Sequence, residues 1–133
     1  MTRDDITVQK YTITNTTAAA LKEPTMQAVT QANGIRLKKA FECQHNTLTL
    51  IVQNTTTSSG SAAASTVVLK KGDKYPNSVL GDLTLALSAG KTAYITIQDP
   101  SRFVDGDGAI KIDFGSGFTG NIAAIGRPTG IAQ

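Results

Sequence analysis

Leu83-Thr84-Leu85-Ala86-Leu87-Ser88-Ala89-Gly90-Lys91-Thr92-Ala93-Tyr94-Ile95-Thr96-Ile97 is the stretch that decides the fold class. Leu83, Leu85 and Leu87 share one face, with Thr84 and Ala86 opposite. Ala93, Ile95 and Ile97 share another, with Thr92, Tyr94 and Thr96 opposite. Strand side chains point alternately to the two faces of a sheet, so this spacing marks half-buried β-strands. Ser88-Ala89-Gly90-Lys91 carries turn chemistry, and the whole segment is expected to fold back on itself as a hairpin.

The same alternation recurs outward in both directions. Residues 47 to 53 place Leu48, Leu50 and Val52 together, and residues 109 to 114 place Ile110, Ile112 and Phe114 opposite Lys111 and Asp113. Residues 6 to 13 make an imperfect first strand, and weaker strands are expected at 26 to 31, 34 to 38, 66 to 70 and 121 to 125. Turn residues separate them: Asn33-Gly34, Lys71-Gly72-Asp73, Asp105-Gly106-Asp107-Gly108 and Gly115-Ser116-Gly117. Only Thr17 to Glu23 fits a helical turn or two, and Pro24 would end it. The pattern predicts an all-β chain, an antiparallel β-sandwich or jelly-roll-like barrel of about 7–9 short strands. The 133 residues fit one domain. A possible N-terminal arm covers about 1 to 25, and the small polar run at 54 to 65 reads as a flexible loop.

Composition excludes several classes. Aromatic residues make up 5% of the chain and Trp is absent, so an aromatic sugar platform is poorly supplied. The net charge of +3 is dispersed, without the clustered Lys and Arg beside stacking rings that nucleic-acid binding requires. No run reaches the ~18 apolar residues of a membrane span. The opening Met1 to Thr14 has no apolar signal-peptide core, so export by that route is not expected. One cysteine, Cys43, permits no intrachain disulfide and suits assembly in a reducing cytoplasm.

Chemistry is sparse. His45 is the sole histidine, and with Cys43 it forms the one conceivable dyad, two residues apart on a strand. There is no Gly-x-Ser-x-Gly elbow, Walker loop or dinucleotide-binding glycine pattern. Asp105-Gly106-Asp107-Gly108 starts like a calcium loop, then departs at Ala109, leaving Asp99, Asp105 and Asp107 as weak metal candidates beside the plainer reading of a turn. No catalytic residue and no cofactor is expected. Arg102-Phe103 after Pro100 fits either a partner anchor or a core-capping Phe beside a solvated Arg. The doublets Lys38-Lys39 and Lys70-Lys71 fit solvated strand ends or a docking site for an acidic surface.

One ordered set of motifs adds to this. Leu48-Thr49-Leu50-Ile51-Val52-Gln53-Asn54-Thr55 is followed by Val67-Val68-Leu69-Lys70-Lys71-Gly72-Asp73. Then come Gly81-Asp82-Leu83-Thr84-Leu85 through Ala89-Gly90-Lys91-Thr92, Ser101-Arg102-Phe103, and Ile110-Lys111-Ile112-Asp113-Phe114. The set resembles small β-sandwich decoration, or cement, proteins of tailed bacteriophages, over roughly residues 46 to 127. The resemblance implies a non-enzymatic virion protein on the capsid surface, assembled in the bacterial cytoplasm. Its implied partners are the major capsid protein and further copies of itself, as a trimer or dimer, with no nucleic acid or membrane. The alternatives are another phage β module (tail tube, fibre base or receptor-binding) and an adhesin-like domain binding sugar or calcium.

Overall fold

The structure is a computed structural model that describes residues 2–10, 24–38, 48–57, 62–73, 81–97 and 100–126. These form nine strands and no α-helix: β1 (Asp4–Lys10), β2 (Gln27–Ala28), β3 (Ile35–Lys38), β4 (Leu48–Asn54), β5 (Thr66–Leu69), β6 (Leu83–Ala86), β7 (Thr92–Ile97), β8 (Ile110–Phe114) and β9 (Gly120–Gly126). Short 3-10 turns occupy Ala62–Ser65 and Pro100–Arg102. The strands join laterally in the order β6-β5-β8-β3-β1-β9-β4-β7, with the two-residue β2 added to β9. The chain is therefore all-β, a curled sheet that wraps one apolar interior.

Alternation decides which side chains fill that interior. Ile35 and Leu37 of β3, Leu48, Leu50 and Val52 of β4, Val67 and Leu69 of β5, Ile110 and Ile112 of β8, and Ile122 and Ala124 of β9 are all buried. Each Leu or Ile so placed contributes about 1.5–3 kcal/mol of transfer free energy. Phe114 and Phe118 close one part of the core, ring centroids 4.7 Å apart.

Three expectations are corrected. The sheet is mixed rather than purely antiparallel, because β1 runs parallel to both its neighbours. Asp4 to Thr7 pair with β3, and Val8 to Lys10 pair with β9, so one bent strand carries the sheet around its curl. The strand expected from residue 6 therefore forms, and Asp4 to Lys10 stand near the middle of the strand order rather than in the possible arm of about 1 to 25. Arg3 fastens the start of this strand by donating to the Asp113 carboxylate and the Ile112 carbonyl. Gly34 permits that approach: its φ is +73°, and a Cβ there would stand 2.8 Å from Asp113 Oδ1.

The expected hairpin between Leu83 and Ile97 does not form. β6 pairs with β5 and β7 pairs with β4, at opposite ends of the strand order. Ser88 to Lys91 is thus a corner that carries the chain from one end of the sheet to the other. Asn54 holds that corner. Its Nδ2 donates to Leu87 O (2.7 Å) and Ala64 O (3.1 Å), and its Oδ1 accepts from Thr56 N (3.0 Å). Its backbone N–H reaches Lys91 O and its carbonyl accepts from Gly90 N. Period two assigns a side chain to a face and says nothing of which strand lies alongside, so both arrangements satisfy the same sequence.

The loop expected at 54 to 65 is shorter than its composition implies. Asn54 ends β4 and is 1% exposed, Ala62–Ser65 make a 3-10 turn, and Ala64 is buried. Residues 58–61 lie outside the described residues, as does the turn expected at 17 to 23.

Candidate contact surface

Hydrogen-bond parity shows which backbone groups the sheet leaves at its β7 end. Asn54 N donates to Lys91 O, whereas Thr55 N donates to Thr119 O. Even-numbered residues of β4 therefore bond to β7 and odd-numbered ones to β9. Val52 lies opposite Ala93 and Leu50 opposite Ile95, so Ala93, Ile95 and Ile97 spend their backbone groups on β4. The N–H and C=O groups of Thr92, Tyr94 and Thr96 point away from the sheet, where no described strand pairs with them.

The outer face beside this edge carries no charge, and Ile51 and Ala123 at its middle are buried. Thr92, Tyr94 and Thr96 of β7 lie beside Gln53, Ile51 and Thr49 of β4, then Asn121, Ala123 and Ile125 of β9. None of these residues is charged. The Thr49 and Thr96 hydroxyls are 3.3 Å apart, and Asn121 Nδ2 donates to Gln53 Oε1 at 3.2 Å. Tyr94 stands out from this surface at 71% exposure, the one large hydrophobic side chain so exposed among the described residues. A Tyr on an uncharged surface has the composition of a protein interface centre, where aromatics are enriched and charges depleted.

No protein-family model, curated protein or solved structure matches this chain. Geometry and chemistry therefore carry the functional reading.

The residues singled out from sequence fall elsewhere. Phe103 is buried in the core, and the Arg102 guanidinium lies over its ring at 5.0 Å while Nη2 donates to Gly81 O. Phe103 thus closes the interior, with Arg102 laid over it. Lys38 and Arg36 bind Asp5, at 3.2 and 3.0 Å. Lys70 binds Asp82 at 2.7 Å, and the same carboxylate accepts the Lys71 backbone N–H. Lys38 and Lys70 are thus ion-paired across strands, and these partners hold both the Asp5 and Asp82 carboxyls below the usual range. Lys39, Cys43, His45 and Asp99 lie outside the described residues.

Asp105 is the keystone of its own turn. Its Oδ1 accepts from Asp107 N (2.8 Å) and Ala109 N (3.1 Å), and Oδ2 stands 3.7 Å from Lys111 Nζ. Burial pushes this carboxyl up, but the two backbone donors and Lys111 outweigh it and hold the group below its ordinary value. Gly106 N donates to Asp73 rather than to Asp105. Among the described residues no three His, Cys, Asp or Glu side chains cluster around a common point.

One cleft of about 340 Å³ opens where β1 leaves β3 for β9, lined by Ile6, Thr7, Gln9, Thr25, Gln27 and Ile122 among others. Gln9 grips the backbone of Thr25 at both its N–H and C=O (2.8 and 2.7 Å), fixing the strand-like segment that walls it. The carboxylate on its rim, Asp5, is already bound to Arg36 and Lys38.

Sequence reasoning placed Tyr94 on the polar face of its strand without marking it as a contact residue. The usable signal was an aromatic ring at a position where alternation demands solvent.

Proposed function

We propose that this chain is a non-enzymatic structural protein of a virion, which binds the outside of a tailed-phage capsid and stabilises the shell. The observation that carries the reading is Tyr94, 71% exposed on an outer face where Thr92, Thr96, Thr49, Gln53 and Asn121 bear no charge. A decoration protein acts by mass action, binding the assembled shell and lowering its free energy through many modest surface contacts. An uncharged surface with one exposed aromatic anchor, Tyr94, supplies such contacts. The motif order from Leu48 to Phe114, similar to that of decoration proteins, supports the same reading. Its partner is then the major capsid protein, and its place is the capsid surface after assembly in the host cytoplasm.

Cosedimentation with purified capsids tests the proposal. Saturable binding to expanded shells, and weaker binding to unexpanded ones, is the expected result. Failure to bind either form, together with absence of the protein from purified virions, would refute it.

A further inference from the structure

We infer that the β7 edge is a self-association site, through which two copies of this chain pair antiparallel about a two-fold axis. Independently of the capsid reading, this pairing follows from the register of the β7 backbone groups that no described strand pairs with. In a two-fold arrangement a strand must be complementary to itself. With Tyr94 on the axis, the outward N–H and C=O groups of Tyr94 in each copy meet those of Tyr94 in the other. Thr92 of each copy then lies opposite Thr96 of the other. Every outward group of the strand finds a partner, for about six inter-chain hydrogen bonds.

The side chains agree with that register on both faces. The two Tyr94 rings become cross-strand neighbours on the outer face, a pairing that stabilises antiparallel sheets. On the inner face Ala93 meets Ile95 of the other copy, which extends the apolar lining. A second copy meets no repulsion in this register: Thr92–Ile97 contains no charged residue, and Lys91 falls opposite Ile97, so no like charges face each other. The strand also lacks the proline, inward charge or bulge by which edges are usually protected. At the other end of the sheet, β6 has only four residues, and the Lys70–Asp82 ion pair stands at its start. A single strand pairing buries less than the ~1,200 Å² of a stable complex, so the dimer is weak in dilute solution and forms where copies are concentrated.

The test uses the full chain in sedimentation velocity from about 5 µM to 1 mM, a range that brackets weak association. Amide exchange is followed residue by residue over the same series. The expected result is a concentration-dependent dimer, with exchange at Thr92, Tyr94 and Thr96 slowed several-fold as it forms. Tyr94→Lys should abolish the dimer without altering the melting temperature, and Thr84→Lys on the β6 edge should leave it intact. A chain monomeric throughout, a dimer that leaves those three amides unprotected, or equal association by Tyr94→Lys would each overturn the inference. Because no capsid enters this experiment, its failure leaves the proposed function standing, and the converse holds.

Discussion

Replacing Asn54 by Ala tests whether a single side chain holds the corner between β6 and β7. The amide is 1% exposed and makes three hydrogen bonds, to Leu87 O, Ala64 O and from Thr56 N. Truncation withdraws the donor from two carbonyls in the interior, each costing about 1–3 kcal/mol when left unsatisfied. Thr56 N lies nearer solvent and recovers a water. Water entering the vacated volume offsets part of the cost, so the expected loss is about 3 kcal/mol, or roughly 10 °C in melting temperature for a domain of this size. Urea unfolding at pH 7 measures it, with an unchanged denaturant slope showing that the unfolded state is not the cause. Asn54→Asp sharpens the test, since it sets a carboxylate oxygen against those carbonyls. Burial raises the pKa of that acid above its unfolded value of about 3.9, so the folded state binds the extra proton. The penalty of Asn54→Asp should therefore grow as pH rises above about 4 and shrink below it. A loss under ~0.5 kcal/mol for Asn54→Ala would show that the corner is held by its backbone alone.

The remaining expectations concern stability at other points of the sheet. Gly72→Ala places a Cβ 2.2 Å from Val104 O and should cost more than about 2 kcal/mol, whereas Gly106→Ala, with its nearest neighbour at 3.9 Å, should be nearly neutral in the same melts. Phe103→Ala should destabilise the free protein by about 3–5 kcal/mol by leaving a cavity beneath Arg102. Asp5, Asp82 and Asp105 all have lowered pKa values in the fold, so their stabilisation is complete above about pH 4 and is lost as pH falls through those lowered values. Asp105→Asn should flatten the acid limb of a stability-versus-pH curve, and an unchanged limb would show that this turn does not couple to protonation.

The two-residue β2, exposed at both positions, has no alternating pattern. The alternating strands among those described, clearest in β6, β7 and β8, were legible because burial on one face of a sheet forces period two. Their neighbours were not. Leu83 to Leu87 and Ala93 to Ile97 satisfy the pattern equally well as a hairpin or as the two ends of a curled sheet, and the deciding group is an amide fifty-four residues into the chain. Asn54 begins a run of Thr, Ser, Gly and Ala that has the composition of a solvated loop, so its burial left no compositional trace. The parallel pairings of β1 were equally hidden, because residues far apart in the chain set them. For the contact surface, Tyr94 was visible as an aromatic ring among threonines, while the outward backbone groups beside it emerge only from the hydrogen-bond parity of β4.

The pairing of β1 with β9 has a consequence for synthesis. Val8 meets Ala124, so β1 waits for the far-downstream β9 before its second side is covered. Contacts of such long sequence separation make folding slow. Until β9 is made, β1 and β4 both lack it and the nascent chain carries open strand sides. A chaperone that shelters those sides during translation should therefore raise the soluble yield, most of all when many copies are made at once.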